Sequence, residues 1–451
     1  MHVAAIGLVV VGLLWTCRFV YRRSRVAGLT FAAGLVIRVT GGAFFLTVSY
    51  FGLPFMTPLQ MGNGFWTLAS DAEDYYRWGS LLAERWQATI TPGYVRPLAL
   101  WMRAVGVNPA SPVLFGLVMF ALAVVTLVAA FGQNRTRAAE RALHLGVAAL
   151  SFSPMLIYAG VFGLKDVFFT TLVVVMAVAY LTLLAGAAWT RATLGAHLLA
   201  AAGGALAVWL IEGIRSYFAI LMWLAMAVTY AGCVIAGVPS RRRSVVQAAV
   251  VLPVVALVIA FGPEPNYPRF ARRIVASVPG AVLERRAPMA HGGLDELDWR
   301  RKTIDDYGGN SMLSRRTKTA GSSRLGGLAV GLCAVFVPSS LLGRLAGVDL
   351  HIGGSARLIA DADTLVFDVM AALILWMVIV NRRQVSPPPL LFGLALAVLV
   401  ALPLAYVMTN YGTLIRLRLL VAVPIWLLTL ALAPGFAARR SSGEAVPAPR
   451  Q

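Results

Sequence analysis

Apolar residues recur along the chain in runs of about 20, separated by short polar segments that carry most of the charges. A helix of that length crosses a hydrocarbon core about 30 Å thick, because all its backbone hydrogen bonds are internal. The pattern therefore predicts an all-α protein, a polytopic transmembrane bundle of about eleven spans. The spans are expected at about 1–21, 26–49, 113–132, 142–162, 167–188, 194–214, 216–236, 245–262, 362–380, 389–409 and 415–434.

The composition is that of a membrane protein. Hydrophobic residues make up 59% of the chain and charged residues 13%, against about 25% charged residues in soluble domains. Soluble enzymes, secreted disulfide scaffolds and disordered tail proteins are excluded. The net charge is +20, but the basic residues are spread over short loops, so we interpret them as topology signals and not as a nucleic-acid site.

The basic residues also predict which side of the membrane each loop faces. Arg22, Arg23 and Arg25 follow the first span, which places that loop in the cytoplasm and the N-terminus outside. Residues 52–112 then form an extracytoplasmic loop, whose tryptophans favour amphipathic helices at the membrane surface. Arginine supplies most of the positive charge, and with the many Ala, Gly and Val residues this is typical of GC-rich bacterial coding. We expect a multi-pass protein of the bacterial plasma (inner) membrane.

One stretch does not fit a simple alternation of spans. Residues 263–361 are expected to form an extracytoplasmic loop, with a re-entrant helix at 325–345 that breaks at Pro338. A full crossing there would put Arg382 and Arg383 on the wrong side of the membrane. The remaining parts are an N-terminal span (1–25), a transmembrane core (26–262), C-terminal spans (362–434) and a disordered cytoplasmic tail (435–451).

A group of carboxylates lies in the 52–112 loop. Asp71, Glu73 and Asp74 fall together in a chain with only 19 acidic residues. If this segment is helical, Asp71 and Tyr75 share one face at a spacing of four, and Asp74 faces away from Tyr75. One interpretation is local: Ser70 is the N-cap, and Glu73 completes a capping box. The other is catalytic: Asp71, or otherwise Asp74, is a general base toward a sugar or lipid hydroxyl.

Several charged residues are expected near the outer ends of spans, where burial of a charge costs a few kcal/mol and usually implies a cavity or a partner. They are Lys165, Asp166, Arg215, Arg416 and Arg418. A lipid phosphate is a suitable ligand, because a guanidinium binds it through two parallel hydrogen bonds. The alternatives are snorkelling to the interface and local ion pairs, of Lys165 with its neighbour or of Glu212 with Arg215.

Two further arginines are candidates for substrate binding. Arg38 lies inside the second span and is expected to face the bundle, where it contacts substrate or pairs with Glu212 or Asp368. Arg96 lies in the 52–112 loop, where it faces the site or is solvated. The sequence leaves these alternatives open.

The sequence predicts no protein-bound metal or nucleotide cofactor. No two histidines are three or four residues apart, and no Walker loop or dinucleotide fingerprint occurs. Acidic residues in the long loop could bind a divalent cation, although a solvated polar surface is the favoured interpretation. They are Asp295, Glu296, Asp298, Asp305 and Asp306.

Three short motifs in a fixed order resemble one family of membrane enzymes. They are Asp-x-x-x-Tyr at 71–75, Pro154-Met155-Leu156-Ile157-Tyr158 followed by Gly163-Leu164-Lys165-Asp166, and Gly412-Thr413-Leu414-Ile415-Arg416-Leu417-Arg418 with Pro424 downstream. With the pattern of spans over most of residues 27–434, they resemble the GT-C-type integral-membrane glycosyltransferases of bacterial polysaccharide loci.

The resemblance implies an activity. It assigns Asp71 as the catalytic base and a polyprenyl-phosphate sugar as the donor, transferred with inversion to a lipid-linked, glycan or protein acceptor on the extracytoplasmic face. The charged residues and arginines named above, with Tyr75, would bind substrate and stabilise the departing phosphate. The alternatives are a polysaccharide polymerase or ligase that uses polyprenyl-diphosphate donors, and a flippase or transporter of lipid-linked saccharides.

Cysteine labelling in intact cells tests the predicted topology. In a chain whose three native cysteines are replaced, Thr57→Cys should react with an impermeant thiol reagent, because the 52–112 loop faces outward. Arg241→Cys should react only after the cells are permeabilised, because it lies in an arginine-bearing cytoplasmic loop. Labelling at position 241 in intact cells would contradict the topology.

Overall fold

The computed structural model describes residues 2–85, 93–133, 135–185, 191–236, 324–338, 340–341, 354–407 and 417–436. In these ranges the chain is almost entirely helical. The helices are α1 (His2–Arg23), α2 (Arg25–Tyr50), α3 (Ser70–Glu84), α4 (Val95–Val105), α5 (Ser111–Phe131), α6 (Arg137–Phe152), α7 (Pro154–Val161), α8 (Lys165–Ala185), α9 (Arg191–Ile214), α10 (Ser216–Ile235), α11 (Arg324–Phe336), α12 (Gly354–Val380), α13 (Pro387–Val407) and α14 (Leu419–Leu427). Two short strands, β1 (Gln60–Gly62) and β2 (Phe65–Trp66), form an antiparallel hairpin between α2 and α3.

The predicted polytopic helical bundle is confirmed. In the described ranges, eight helices are long and apolar enough to cross a membrane, and the bent pair α6 and α7 counts as a ninth span. The predicted span at 415–434 corresponds to a shorter apolar helix, Leu419–Leu432, and the one at 245–262 lies outside the described residues. The number of about eleven therefore stays a prediction.

Helix α8 lies at the centre of the bundle. Its apolar window is 83% buried, whereas that of α1 is only 11% buried. Helices α5 and α9 flank α8, and α1 packs on the outside against α2. Residues at the start of α8 are consequently fixed by packing from several sides, while α1 exposes most of its surface.

The expected re-entrant segment is described only in part. Helix α11 ends at Phe336, two residues before Pro338, as expected for a helix that meets a proline. It packs against α13 so closely that a Cβ at Gly331 would overlap the backbone of Ala405. Most of the 263–361 loop lies outside the described residues, so the structure does not test the re-entrant path.

The 52–112 loop contains amphipathic helices, as expected, and their place at the membrane surface stays a prediction. Helices α3 and α4 pack on each other through their apolar faces, with Gly79 of α3 against Met102 of α4. The expected capping box is wrong. Ser70 already has helical torsion angles (φ −51°, ψ −36°), and Ala69 occupies the N-cap position without a side-chain hydrogen bond. Helix α3 thus begins one residue earlier than a Ser70 cap requires.

A proline breaks the span formed by α6 and α7, and the two helices meet at 48°. Pro154 has no N–H, so the carbonyl of Leu150 loses its helical partner. Arg38 of α2 replaces it: Nη2 donates to the Leu150 carbonyl at 2.9 Å, and Nη1 to the Ser151 carbonyl at 2.8 Å. Gly160 leaves room for this side chain, since a Cβ there would lie 3.2 Å from Arg38 Cδ.

A carboxylate from another helix lies at the start of α7. The Met155 N–H donates to Asp363 Oδ1 of α12 at 3.1 Å, and Ser153 Oγ caps the Leu156 N–H. Arg38 therefore lies at the negative C-terminal end of α6, and Asp363 at the positive N-terminal end of α7. Both charges complement the helix dipoles at the break.

Replacing Arg38 tests its role at the break. Arg38→Met should lower the free energy of unfolding by roughly 2–4 kcal/mol, because two buried carbonyls lose their donors. Adding Pro154→Ala should restore about 1 kcal/mol, since the new N–H can bind the Leu150 carbonyl. The measurement is unfolding of the purified protein in detergent.

Arg18→Met is the matched control, because Arg18 is exposed on the outer helix α1. It should leave stability nearly unchanged. A double variant as unstable as the sum of its two single variants would argue against this account of the break.

Candidate functional site

Charged and aromatic residues from three parts of the chain meet where α8 begins. Lys165 and Asp166 are its first two residues and follow a tight turn at Gly163. Gly163 has φ +68°, and a Cβ there would lie 2.7 Å from Pro112 Cβ, so both the backbone conformation and the space require glycine. This turn orients Lys165 and Asp166 at the end of the bundle where the 52–112 loop packs.

Asp166 forms a buried ion pair with Arg215, the residue between α9 and α10. Arg215 Nη2 lies 2.7 Å from Asp166 Oδ1, and Arg215 Nη1 donates to the Tyr217 hydroxyl at 3.1 Å. Burial lowers the pKa of Arg215, but Asp166 and Tyr217 raise it, and the net shift is upward. The guanidinium therefore stays charged, and the pair connects the start of α8 to the start of α10.

Lys165 lies beside helix α3. Its Nζ is 5.4 Å from the centre of the Tyr75 ring, within the range of a cation–π contact. Tyr75 in turn packs edge-on against Tyr94, with ring centres 5.2 Å apart. The structure thus brings together four residues that lie far apart in the sequence: Tyr75, Lys165, Asp166 and Arg215. The first and the last of them are 140 positions apart.

Tyr94 joins the parts of this site, and sequence reasoning missed it. Its ring is buried, and its hydroxyl donates to the Gly163 carbonyl at 3.3 Å. Burial, followed by the charges of Tyr75 and Asp166, raises its pKa, so the hydroxyl keeps its proton. An aromatic residue two positions before Arg96 gives no sign in the sequence that it packs against Tyr75.

The loop before α4 is also tied to the site by its backbone. The Gly93 N–H donates to the Gly213 carbonyl at 3.0 Å, and a Cβ at Gly93 would overlap the Gly213 backbone. Gly213 lies two residues before Arg215. Close backbone contact at these two glycines therefore places Tyr94 beside the Asp166–Arg215 ion pair.

The two candidate bases on α3 differ in exposure. Asp71 is half-buried and lies one turn before Tyr75, on the same face of the helix. Asp74 is exposed. The helix and the different facing of the two carboxylates were predicted from the sequence, and the structure agrees on both points.

An apolar recess adjoins the start of α3. Ala69 and Ala72, on either side of Asp71, form part of its wall. The other lining residues come from the ends of α2, α5 and α7 and from the hairpin, and include Phe45, Trp66, Pro112, Val113 and Phe162. Asp71 is not itself among the lining residues, and the free volume of about 10 Å³ is that of about one water molecule.

Arg418 belongs to a different cluster. It is 1% exposed, with Nη1 3.6 Å from Asp363 Oδ2 and hydrogen-bonded to Thr364, and Nη2 donates to the Ala334 carbonyl at 3.3 Å. Asp363 balances its charge inside the bundle. Arg418 thus has a buried carboxylate partner in the structure, and its contact with a lipid phosphate stays a prediction. Arg416 lies outside the described residues.

The cluster of Arg418 and Asp363 and the cluster of Lys165 lie at opposite ends of α7. Asp363 binds the N–H of Met155 at its start, and Lys165 follows its end. A helix of eight residues is about 12 Å long. Sequence reasoning missed Asp363, although an acidic residue inside the apolar run of α12 is itself a signal of a buried partner.

The two remaining arginines have distinct surroundings. Arg38 binds the carbonyls of α6 and lies over the Phe120 ring, with its Cζ 4.0 Å from the ring centre. This contact with the backbone is an alternative that the sequence did not indicate. Arg96 is half-buried in the first turn of α4, and within the described part of the chain it makes no side-chain hydrogen bond or ion pair.

The structure does not test the divalent cation. Within the described ranges, no three His, Cys, Asp or Glu side chains are grouped closely enough to hold a metal ion. The acidic residues of the long loop, where a cation was considered, lie outside those ranges.

Comparisons of the chain with protein-family models, with curated proteins and with solved structures find no match. The resemblance to the GT-C-type enzymes thus stays an expectation, and the chemistry of the site must be argued from its own residues.

The ion pair predicts a sharp difference between neighbouring residues. Asp166→Asn should lower the free energy of unfolding by about 3–5 kcal/mol, because it leaves Arg215 buried and without its counter-charge. Lys165→Gln should cost less than about 1 kcal/mol, since Lys165 is half-buried. Denaturant unfolding of both variants in detergent measures the difference. Equal losses of stability would show that Asp166 and Arg215 do not act as a structural pair.

Proposed function

We propose that this protein is a membrane glycosyltransferase that transfers a sugar, with inversion, from a polyprenyl-phosphate donor to an acceptor hydroxyl. One observation carries the proposal. The ammonium of Lys165 lies 5.4 Å from the centre of the Tyr75 ring, and Tyr75 lies one helical turn after the half-buried Asp71. A cation and a carboxylate thus converge at one end of the bundle. Transfer from a phosphate leaving group to a hydroxyl can use both, a base for the hydroxyl proton and a cation for the departing phosphate.

The proposed chemistry assigns one step to each charge. The Asp71 carboxylate accepts the proton of the acceptor hydroxyl, whose oxygen attacks the anomeric carbon. The bond between that carbon and the phosphate oxygen breaks, and the lipid phosphate leaves with the electron pair. Lys165 stabilises the negative charge that develops on this oxygen. Asp71 then releases its proton to water.

The Asp166–Arg215 pair has a positioning role in this scheme. Because the two charges balance each other, Arg215 adds little net positive potential, but it fixes the start of α8 and with it Lys165.

The distribution of charge supports an extracytoplasmic site. Helix α2 begins at Arg25, close to Arg22 and Arg23 at the end of α1. Its 26 residues extend about 39 Å toward the end of the bundle that carries α3. Arginine-rich turns favour the cytoplasmic side. Asp71 then lies on the opposite side of the membrane.

Two matched substitutions on α3 test the proposal. Asp71→Asn should lower the rate of sugar transfer by about 100- to 10,000-fold, because it removes the general base. Asp74→Asn, an equal change of charge three residues away, should have little effect because Asp74 is exposed. The measurement uses purified protein in nanodiscs and a panel of radiolabelled polyprenyl-phosphate sugars, with donor binding measured separately.

Donor binding distinguishes the alternatives. Binding should persist in Asp71→Asn and weaken in Lys165→Gln, since the proposed phosphate contact is with Lys165. If Asp74→Asn were inactive and Asp71→Asn active, the assignment of Asp71 as the base would be wrong. Movement of labelled donor lipid across proteoliposome membranes, without transfer by any variant, would favour a flippase instead.

A further inference from the structure

Three turns meet at the end of the bundle opposite to α3. They join α1 to α2, α5 to α6, and α12 to α13. Ser24 Oγ, in the first turn, shares a hydrogen bond of 2.9 Å with His144 Nε2 of α6. Thr136 Oγ1, in the second, donates to Gln384 Oε1 of the third at 3.2 Å. These contacts place the three turns side by side.

The turns carry a concentration of exposed arginines, which we name the arginine surface. It consists of Arg22, Arg25, Arg137, Arg141, Arg382 and Arg383. Within the described part of the chain, none of these six forms an ion pair or a side-chain hydrogen bond. The only acidic residue in segments 22–25, 132–144 and 381–386 is Glu140, which lies 3.8 Å from His144. The positive charge of the surface is therefore largely unbalanced.

Two half-buried arginines, Arg23 and Arg135, add to this charge. Arg135 donates from Nε and Nη2 to its own turn, at the Gly132 carbonyl, with distances of 2.9 and 2.7 Å. Burial lowers the pKa of Arg135, Glu140 raises it, and Arg23 lowers it again. The cationic side chains of the first two turns are thus close enough to repel each other. An anion bound between them would relieve this repulsion.

The position of the arginine surface indicates what kind of anion it meets. Each turn ends a membrane span, so the guanidinium groups lie at the boundary between hydrocarbon and water, at the depth of lipid headgroups. A guanidinium binds phosphate through two parallel hydrogen bonds, and basic residues at this depth attract anionic lipids. We propose that the arginine surface binds anionic phospholipid headgroups, which bridge the turn between α1 and α2 to the other two turns.

The bridge has a structural use. Helix α1 is the least buried of the described spans, at 11% of its apolar window. Near its C-terminus, the hydrogen bond between Ser24 and His144 ties the following turn to α6. Headgroups that contact Arg22 or Arg25 on one side and Arg137 or Arg382 on the other would add a second tie. This inference is independent of the proposed function.

Paired substitutions with equal loss of charge test the proposal. The full-length protein is reconstituted in phosphatidylcholine bilayers, and spin-labelled lipids measure the association of phosphatidylglycerol relative to phosphatidylcholine. Arg22→Gln with Arg25→Gln should lower this relative association constant by about fivefold, as should Arg382→Gln with Arg383→Gln. Arg77→Gln with Arg85→Gln should leave it unchanged. These two exposed arginines lie on α3 and directly after it, at the other end of the bundle. High salt should weaken the wild-type preference.

The outcomes separate the proposal from its rivals. An unchanged preference in both test pairs would overturn it. An equal loss in the control pair would also overturn it, because net charge alone would then explain the effect. If inorganic phosphate displaced the spin-labelled phosphatidylglycerol at concentrations that leave the ionic strength nearly unchanged, the surface would bind free phosphate and not headgroups.

Discussion

The constraint on which most of the described bundle depends is the break at Pro154. Hydrocarbon offers no water to bind a carbonyl whose helical partner is missing, so other helices must supply the donors. Arg38 of α2 supplies them to α6, and Asp363 of α12 accepts from α7. Asp363 in turn needs a positive charge, which Arg418 provides beside α14. One proline thereby fixes the relative positions of α2, α6, α7, α12 and α14.

The broken span also sets the place of the candidate site. Because α7 has only eight residues, the chain reaches its end soon after the break, turns at Gly163 and enters the central helix α8. Lys165 and Asp166 are therefore carried by α8, the most buried of the eight candidate spans in the described ranges. The ion pair of Asp166 with Arg215 holds this start against α10. A site supported in this way has little freedom to move relative to the packed core.

Local features of the structure could be predicted from the sequence. The long apolar runs identify spans because length and composition suffice for that inference. The two faces of α3 follow from the helical period once Asp71 and Tyr75 are seen four residues apart. The interpretation of Ser70 to Glu73 as a capping box was wrong, because the same four residues are compatible with a helix that starts one residue earlier.

Contacts between distant segments were not predictable. Arg38 was expected to meet a carboxylate or a substrate, but it binds backbone carbonyls 112 and 113 positions away. Because every residue has a backbone carbonyl, the sequence does not indicate which ones will accept a hydrogen bond from a side chain. The pairing of Asp166 with Arg215 and the packing of Tyr94 on Tyr75 depend likewise on how α8, α9 and the 52–112 loop come together. Charge and burial cost indicate that such residues need partners; only the fold selects them.

The long separations have a consequence for biosynthesis. Ribosomes deliver α2 to the membrane well before α6, so Arg38 must enter the bilayer while the carbonyls that will bind it do not yet exist. An arginine at the centre of a spanning helix costs about 2.5–3.5 kcal/mol during insertion. Within α2 itself, only the Gly34 carbonyl, which Arg38 Nη1 binds at 2.9 Å, and the apolar residues around Arg38 can offset that cost. Asp363 emerges 208 residues after Met155, and Arg418 follows 54 residues after Thr364. The N-terminal half of the bundle thus lacks some of its hydrogen-bond partners in the membrane until translation is almost finished.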